Sequence, residues 1–184
     1  MTHQFSQVPK ANIPRSTFDR THGLKTTFDG NKLIPILVDE ALPGDTFSLK
    51  LSAFARMATP IYPVMDNIHM SFYFFAIPHR LVWENWEKFC GAQDDPGDST
   101  DYTIPVVSGT ASHTHEGTLW DYFGLPLDLL PTDFTISALP WRAMSLTWNE
   151  WFRDQNLQDS WNVETDDGPD SLHPDSAEIG RAFV

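Results

Sequence analysis

Two stretches of this chain are written with a period of two. In Thr46–Phe54, Phe47, Leu49, Leu51 and Ala53 fall on one side, and Ser48, Lys50 and Ser52 on the other. Successive strand side chains point to opposite faces, so this is the pattern of a half-buried strand. Asn67–Ile77 repeats it, with Ile68, Met70, Phe72, Phe74 and Ala76 on one face. Tyr73, Phe75 and Ile77 make the other face apolar too, which predicts an interior strand covered on both sides. A third stretch, Leu33–Val38, is an apolar run broken by Pro35 and predicts an edge strand or a bulge. Pro43-Gly44-Asp45 is a turn signal, Thr59-Pro60-Ile61-Tyr62-Pro63 interrupts the pattern, and Pro78 ends it. Fourteen prolines and ten glycines in 184 residues fit a mainly β chain with many turns better than a helical bundle.

Helical spacing enters after Pro78. His79–Cys90 brings Val82, Trp86, Phe89 and Cys90 to one face, with Gly91 placed as the C-terminal cap. Residues 92–118 are rich in Asp, Ser, Thr and Gly and predict a long loop with a short strand near Tyr102–Val107. Leu119–Phe123 predicts one helical turn. Leu139–Leu157 predicts the longest helix, with Pro140 in its first turn and Met144, Trp148, Trp151 or Phe152, and Gln155 along one side. Seven acidic and no basic residues between Asp159 and Glu178 predict a loop or disordered tail. The chain carries no internal repeat and no Gly/Ser linker.

Charge divides the chain unevenly. Residues 1–32 hold five basic residues (Lys10, Arg15, Arg20, Lys25, Lys32) and two acidic ones, so the net charge of −13 splits as +3 and −16. Phe5, Val8, Ile13, Phe18, Leu24 and Phe28 follow no helical or strand period. Ordering a backbone costs about 1–2 kcal/mol per residue, so this arm is expected to order only against the rest of the fold or a neighbouring subunit. The overall pI of about 4.7 argues against a dedicated nucleic-acid binder, without excluding a local basic contact. The single cysteine, Cys90, forms no intrachain disulfide, and a reducing compartment is the simplest reading. MTHQFSQVPK lacks the apolar run of a signal peptide, and the apolar stretch Phe72–Ile77 is too short to span a bilayer. A soluble chain made in a cytoplasm is expected.

Residues that carry chemistry are sparse. His113-x-His115, with Glu116 beside it, reads as exposed loop histidines rather than a metal pair. Asp166-Asp167-Gly168 with Asp170 lacks the ligand spacing and terminal Glu of a calcium loop, and reads as a solvated turn. Cys90, on the apolar face of its helix, reads as a small buried hydrophobe rather than a nucleophile. Asp39 and Glu40, adjacent on a strand, would point to opposite faces and make no acid/base pair. No nucleophile elbow, phosphate-binding loop or dinucleotide fingerprint occurs. Catalytic, cofactor and metal sites are therefore not expected. Trp83, Trp86, Trp148, Trp151 and Phe152 read as core or interface aromatics, in preference to a sugar-stacking surface. Lys10, Arg15, Arg20 and Lys25 are candidates for contact with DNA phosphates or with acidic surfaces of neighbouring subunits, the two weighing equally.

Four blocks of sequence, FDRTHGLKTTFDG, LIPILVDEALPGDTF, ATPIYPVMDNI and NEWFRDQNLQ, resemble the major capsid protein of small icosahedral single-stranded DNA phages, the gokushovirus branch of the microvirus family. The resemblance runs from about Val8 to Gly168, and no block is a catalytic motif. It implies an eight-stranded antiparallel jelly roll with large insertions, of which the strands at 33–38, 46–54 and 67–77 would be the first and 78–158 insertion material. It also implies assembly of copies of this chain into a closed T=1 shell around circular single-stranded DNA, with other virion and scaffolding proteins, in the host bacterial cytoplasm. A receptor on the bacterial host is a further implied partner, and membrane insertion is not. Under this reading residues 1–32 are a basic arm, 33–168 an incomplete jelly roll and 169–184 an acidic tail. Family members are longer, so a fragment that cannot close the sandwich alone is expected. A carbohydrate-binding or host-attachment jelly-roll module is the alternative, and aromatic residues exposed around a cleft would favour it.

Overall fold

The computed structural model describes residues 13–109, 114–127 and 135–171. Among these residues the structure has few helices and one small mixed sheet. A 3₁₀ turn spans His79–Leu81, and helix α1 is Trp86–Phe89. Strand β1 is Val106–Ser108, helix α2 Leu119–Tyr122 and strand β2 Thr135–Ser137. Helix α3, Leu139–Thr147, runs into a π-helical turn at Trp148–Phe152, and strand β3 is Pro169–Asp170.

The strand order is β2-β1-β3. β1 runs antiparallel to β2, pairing Val106 with Ser137 and Ser108 with Thr135. It runs parallel to β3, pairing Val106 with Pro169 and Val107 with Asp170. Pro169 has no N–H to give a ladder and sits on an edge strand, where that lack is tolerated.

Two apolar clusters make up most of the core. Val107, Trp120 and Ala138 are buried together, with Ile136, Leu125, Leu127 and Trp141 packed around them. Leu119, Trp148 and Trp161 form a second cluster with Leu33, Phe123, Met144 and Phe152. Trp141 belongs to the edge of both and joins them. Its ring lies 5.8 Å from that of Trp120 and 4.6 Å from that of Phe123. The indole N–H of Trp120 donates to the Pro126 carbonyl at 2.8 Å, so this large ring is buried without stranding its polar atom.

The expected strands at 33–38, 46–54 and 67–77 do not form ladders. No strand is assigned there, and from Thr46 to Ile77 no backbone–backbone hydrogen bond is made among the described residues. The alternation is genuine, but a strand exists only through a partner's N–H and C=O groups, and none lies alongside. Only the Leu42–Asp45 turn appears as read: Asp45 N–H donates to the Leu42 carbonyl at 3.0 Å.

The helix expected over 79–90 is broken in two. Trp83 turns inward, and the Glu84 N–H donates to the distant Thr165 carbonyl at 2.9 Å instead of continuing the helix. The apolar face is thereby split: Val82 and Trp83 are buried, Trp86 is half-buried, and Phe89 and Cys90 are exposed. Cys90 is therefore not the buried hydrophobe its helical spacing predicted. Gly91 caps α1 as read, at φ +87°, with Gly91 N–H to Lys88 O at 3.0 Å and Ala92 N–H to Glu87 O at 2.9 Å.

The helix expected over 139–157 stops at Phe152. Its last turn widens to π geometry, the Arg153 N–H reaching the Trp148 carbonyl at 2.9 Å, and Arg153 is already extended. The wider turn keeps Trp148 buried and Phe152 half-buried and leaves Trp151 exposed, which decides between the two alternatives for that face. Residues 119–122 form the single turn expected, and the strand expected near 102–107 lies at Val106–Ser108.

The acidic segment departs most from expectation. Trp161 is buried, and its backbone is held by Asn149 through Nδ2 to O and N to Oδ1, both at 2.8 Å. Pro169 and Asp170, read as the start of a tail, are the third strand of the sheet. Residues 172–184 lie outside the described residues.

A Cβ added at Gly109 would lie 2.7 Å from Thr114 Cγ2 and 3.2 Å from the Trp120 ring. Overfilling a packed core typically costs about 1–3 kcal/mol. Gly109→Ala is expected to destabilise the chain by an amount in that range, measured as a lowered midpoint of urea unfolding with unchanged slope.

Candidate functional site

Two features have functional bearing: an uncovered apolar segment and a polar clasp. Fifteen large apolar side chains between Phe47 and Phe75 are exposed, among them Phe54 at 93%, Ile61 at 94% and Met65 at 94%. Burying such side chains is worth about 1.5–3 kcal/mol each, so the surface withholds stabilisation on the order of 20 kcal/mol. That exceeds the net stability of an ordinary domain, about 5–15 kcal/mol. Monomers rarely leave such a surface uncovered.

The segment meets the folded part at an aromatic shelf. Tyr73 packs edge-on to Phe152 at 5.3 Å, and Phe75 lies 5.7 Å from Trp151 and 5.9 Å from Phe152. Trp151 remains 72% exposed at its rim. The expected core or interface aromatics thus divide. Trp83 and Trp148 are core, Trp86 and Phe152 are half-buried at ring-stacking sites, and Trp151 faces solvent. The four tryptophans do not surround a cleft. The groove beside α1 is polar, lined by Glu84, Glu87, Lys88, Asp94 and Asp98 with no aromatic ring.

The clasp is built on Arg142, whose side chain is 2% exposed. Its Nε and Nη2 donate to the two Asp170 carboxylate oxygens at 2.7 and 2.6 Å. Its Nη1 donates to the Val82 carbonyl at 2.9 Å, and Nη2 also to the Asp166 carbonyl at 3.0 Å. A planar guanidinium fits a carboxylate in this forked way and has donors left for two carbonyls. One side chain therefore ties α3 to β3 and to the chain entering α1. Asp167 closes the other side, accepting from the Trp83 indole N–H at 2.7 Å and the Thr103 N–H at 2.8 Å. Hydrogen bonds from the Asn85 side chain, then from Trp83, hold the Asp167 carboxyl below the ordinary aspartate value of 3.8. Burial, and then the neighbouring Asp170, push the Glu164 carboxyl above the ordinary glutamate value of 4.5.

The arm docks partly on its own chain. Arg15 donates to the Gly44 carbonyl, and Arg20 Nη2 pairs with Asp39 Oδ1 at 2.7 Å. Lys32 pairs with Asp29 at 3.4 Å, and the Tyr122 hydroxyl donates to the Thr27 carbonyl at 3.4 Å. Lys25 is exposed and makes no ion pair among the described residues. Lys10 and His113 lie outside the described residues, and His115 is exposed. Among the described residues no group of three or more His, Cys, Asp and Glu is arranged to hold a metal ion. No helix among them is long and apolar enough to cross a membrane.

Sequence reasoning passed over Arg142 and Trp161, and it read Asp167 and Asp170 as a solvated turn where the structure binds them to Trp83, Thr103 and Arg142. A signal was present for the first: Arg142 is the only cation between Lys88 and Arg153, and it stands between Trp141 and Met144 on an apolar helix. A lone charge there needs a buried partner, and the nearest acid-rich stretch is 164–170.

Relatives by sequence place the chain in a family. Residues 6–180 match the phage family described as "Capsid protein (F protein)", and the chain belongs to that family. Among its relatives, the "Capsid protein VP1" of Bdellovibrio phage phiMH2K is 48% identical over 169 residues, 92% of this chain and 31% of the relative. That of Chlamydia phage 1 is 43% identical over 184 residues, 97% of this chain and 30% of the relative. That of Spiroplasma virus 4 is 33% identical over 156 residues, 84% of this chain and 28% of the relative. The chain therefore spans about a third of the length of these relatives.

Removing one partner of a buried ion pair leaves the other charge uncompensated, at about 3–5 kcal/mol. Arg142→Met is expected to destabilise the chain by that amount in chemical denaturation. Asp167 contributes stability above its ordinary pKa that is lost as pH falls through its lowered value. Asp167→Asn is therefore expected to flatten the acid limb of a thermal-melt profile below about pH 4.

Proposed function

We propose that this chain is a structural subunit of the capsid of a small single-stranded DNA bacteriophage, working by self-assembly and not by catalysis. The observation that carries the reading is the exposed apolar face between Phe47 and Phe75, in a chain that belongs to a capsid family. On this reading 33–38, 46–54 and 67–77 are the opening strands of an eight-stranded jelly roll. Their partners are supplied in the assembled virion, either by further chain of the length seen in the relatives or by neighbouring subunits. The alternating pattern of 46–54 and 67–77 supports this, because it fits strands whose faces are covered.

The arm over residues 1–32 acts as a tether between subunits. Within the described residues two of its arginines find their acceptors on the chain's own 39–44 stretch, Asp39 and the Gly44 carbonyl. Lys25 makes no ion pair among the described residues and is left for neighbours or for packaged DNA, with Lys10 a further candidate from the sequence, through contacts that would be non-specific and salt-sensitive. The remaining partners are other virion and scaffolding proteins and a receptor on the host bacterium. The location is the virion, after assembly in the host cytoplasm. The sugar-binding alternative is disfavoured by Trp83 and Trp148, which are core residues and offer no ring to a ligand.

Electron microscopy of the polypeptide at its relatives' length, co-expressed with scaffolding partners, is expected to show closed shells. Folded monomers that never form shells would refute the reading. Trp151→Ala is expected to leave monomer stability within about 0.5 kcal/mol, as for other exposed sites, while lowering the yield of particles on a sucrose gradient.

A further inference from the structure

The described part of the basic arm doubles back along its own chain in register. Arg15 donates to the Gly44 carbonyl, and Arg20 Nη2 pairs with Asp39 Oδ1 at 2.7 Å. The step forward along the arm from 15 to 20 equals the step backward along the other limb from 44 to 39. That is the register of an antiparallel hairpin. Its midpoint falls at Asp29-Gly30, where the chain turns: Asn31 has φ +62°, and Lys32 pairs with Asp29 at 3.4 Å across the turn. The closed end is seated on the core. The Tyr122 hydroxyl donates to the Thr27 carbonyl at 3.4 Å, and Leu33 packs in the cluster of Leu119, Trp148 and Trp161.

The open end is held lightly. Among the described residues no backbone–backbone hydrogen bond joins 13–28 to 31–44. The Arg20 side chain is 71% exposed, and an ion pair so placed holds weakly. Ile13 and Phe18 each stay 79% exposed, so closure on the chain's own 39–44 satisfies polar groups and leaves these apolar ones uncovered. Gly23, between Arg20 and the seated Thr27, has open space where a side chain would stand and gives the backbone a free pivot.

We propose that this hairpin is an exchangeable strap, closing on its own 39–44 in the free chain and on the 39–44 of a second copy in the assembly. Such exchange deepens the role of the arm as a tether between subunits and rests on that reading. A second copy offers the same Asp39 carboxylate and the same Gly44 carbonyl. Gly44 has φ +84° and no side chain, and a Cβ there would lie 3.2 Å from Arg15 Nη2, so the seat for Arg15 is built into every copy. Exchanging an identical element between copies keeps its contacts and costs little. Proximity then decides. In a dilute chain the tethered 39–44 stretch stands at an effective concentration on the order of millimolar, and closure within the chain wins. Between neighbours held at fixed spacing that advantage vanishes, and Ile13 and Phe18 favour whichever copy buries them. Extended chain spans about 3.3 Å per residue, so the stretch from Thr27 to Arg20 reaches roughly 23 Å with Thr27 still seated.

The test is cysteine cross-linking of the full chain in a Cys90→Ser background, because Cys90 is an exposed thiol. One copy carries Arg20→Cys and an affinity tag, the other Asp39→Cys. They are mixed at raised concentration, oxidised mildly and run on a non-reducing gel, and the 20–39 linkage is read by mass spectrometry. Linked mixed dimers are expected to exceed the ratio of random pairing several-fold; mixed dimers at that ratio would overturn the proposal. A second measurement needs no cysteine. Arg20→Glu and Asp39→Lys each place like charges at both positions, and only a mixture of the two offers opposite charges, always across copies. The dimer fraction in sedimentation velocity at low salt is expected to be higher in the mixture than in either variant alone, and the difference to disappear at high salt. Equal fractions would overturn the exchange. The two readings fail separately: absent shells in electron microscopy refute the capsid reading, whereas an arm that links only within its own chain refutes the exchange alone.

Discussion

The buried fork between Arg142 and Asp170 is the interaction on which the rest of this structure depends. A guanidinium removed from water is costly, and only complete hydrogen bonding makes it tolerable. Here the four bonds it makes reach two separate stretches of chain, the 166–170 segment that ends in β3 and the Val82 carbonyl. Neither stretch has enough regular structure to hold itself. α1 and α2 are four residues each, and the strands are two or three residues long. Isolated elements of that length are marginal in water, so their order comes from tertiary contacts. The arginine supplies polar ties and the tryptophan clusters supply apolar burial.

The molecule divides into a part that packs on itself and a part that is left largely uncovered. Among the described residues from His79 to Asp170, many of the large rings pack on one another: Trp148 stacks on Trp161 at 4.6 Å, and Trp83 packs against Phe89 at 5.4 Å and Tyr102 at 6.2 Å. From Thr46 to Ile77 no backbone–backbone hydrogen bond is made among the described residues, and most large apolar side chains stay exposed, with Tyr73 and Phe75 reaching the rings of Trp151 and Phe152. The packed part and the uncovered part are thus set by which residues find partners within this stretch of chain. A self-sufficient binding module would show the reverse, with a closed sheet and exposed loops.

What the sequence made legible followed from local physics. Pro140 at the head of α3, Gly91 as the cap of α1, the 42–45 turn and the single turn at 119–122 each rest on near-neighbour geometry, and each is present. Long-range chemistry was hidden. The helix over 79–90 breaks because Glu84 and Trp83 bond to residues 165 and 167, which no local periodicity records. The acidic segment read as solvated because its partners, Arg142, Trp83 and Asn149, are distant in sequence. Cys90 follows from the same break: it lost its buried face when the helix split. The strands expected at 33–38, 46–54 and 67–77 are absent, because an alternating pattern states which faces want covering and not whether a partner strand is present.

The contacts that bind the acidic segment also set an order of events. Trp83 waits for Asp167, 84 residues later, and Glu84 for Thr165, 81 residues later. Arg142 must hold its charge in solvent until residue 170 has left the ribosome. Chains emerge at about 5–20 residues per second, so several seconds separate the first half of each contact from the second. During that interval the aromatic rings that later form the core are open, alongside an apolar segment that stays open in the folded chain. Contacts so far apart in sequence close slowly and expose the chain to wrong associations. A nascent chain of this design is thus most open to wrong associations just before residues 165–170 emerge.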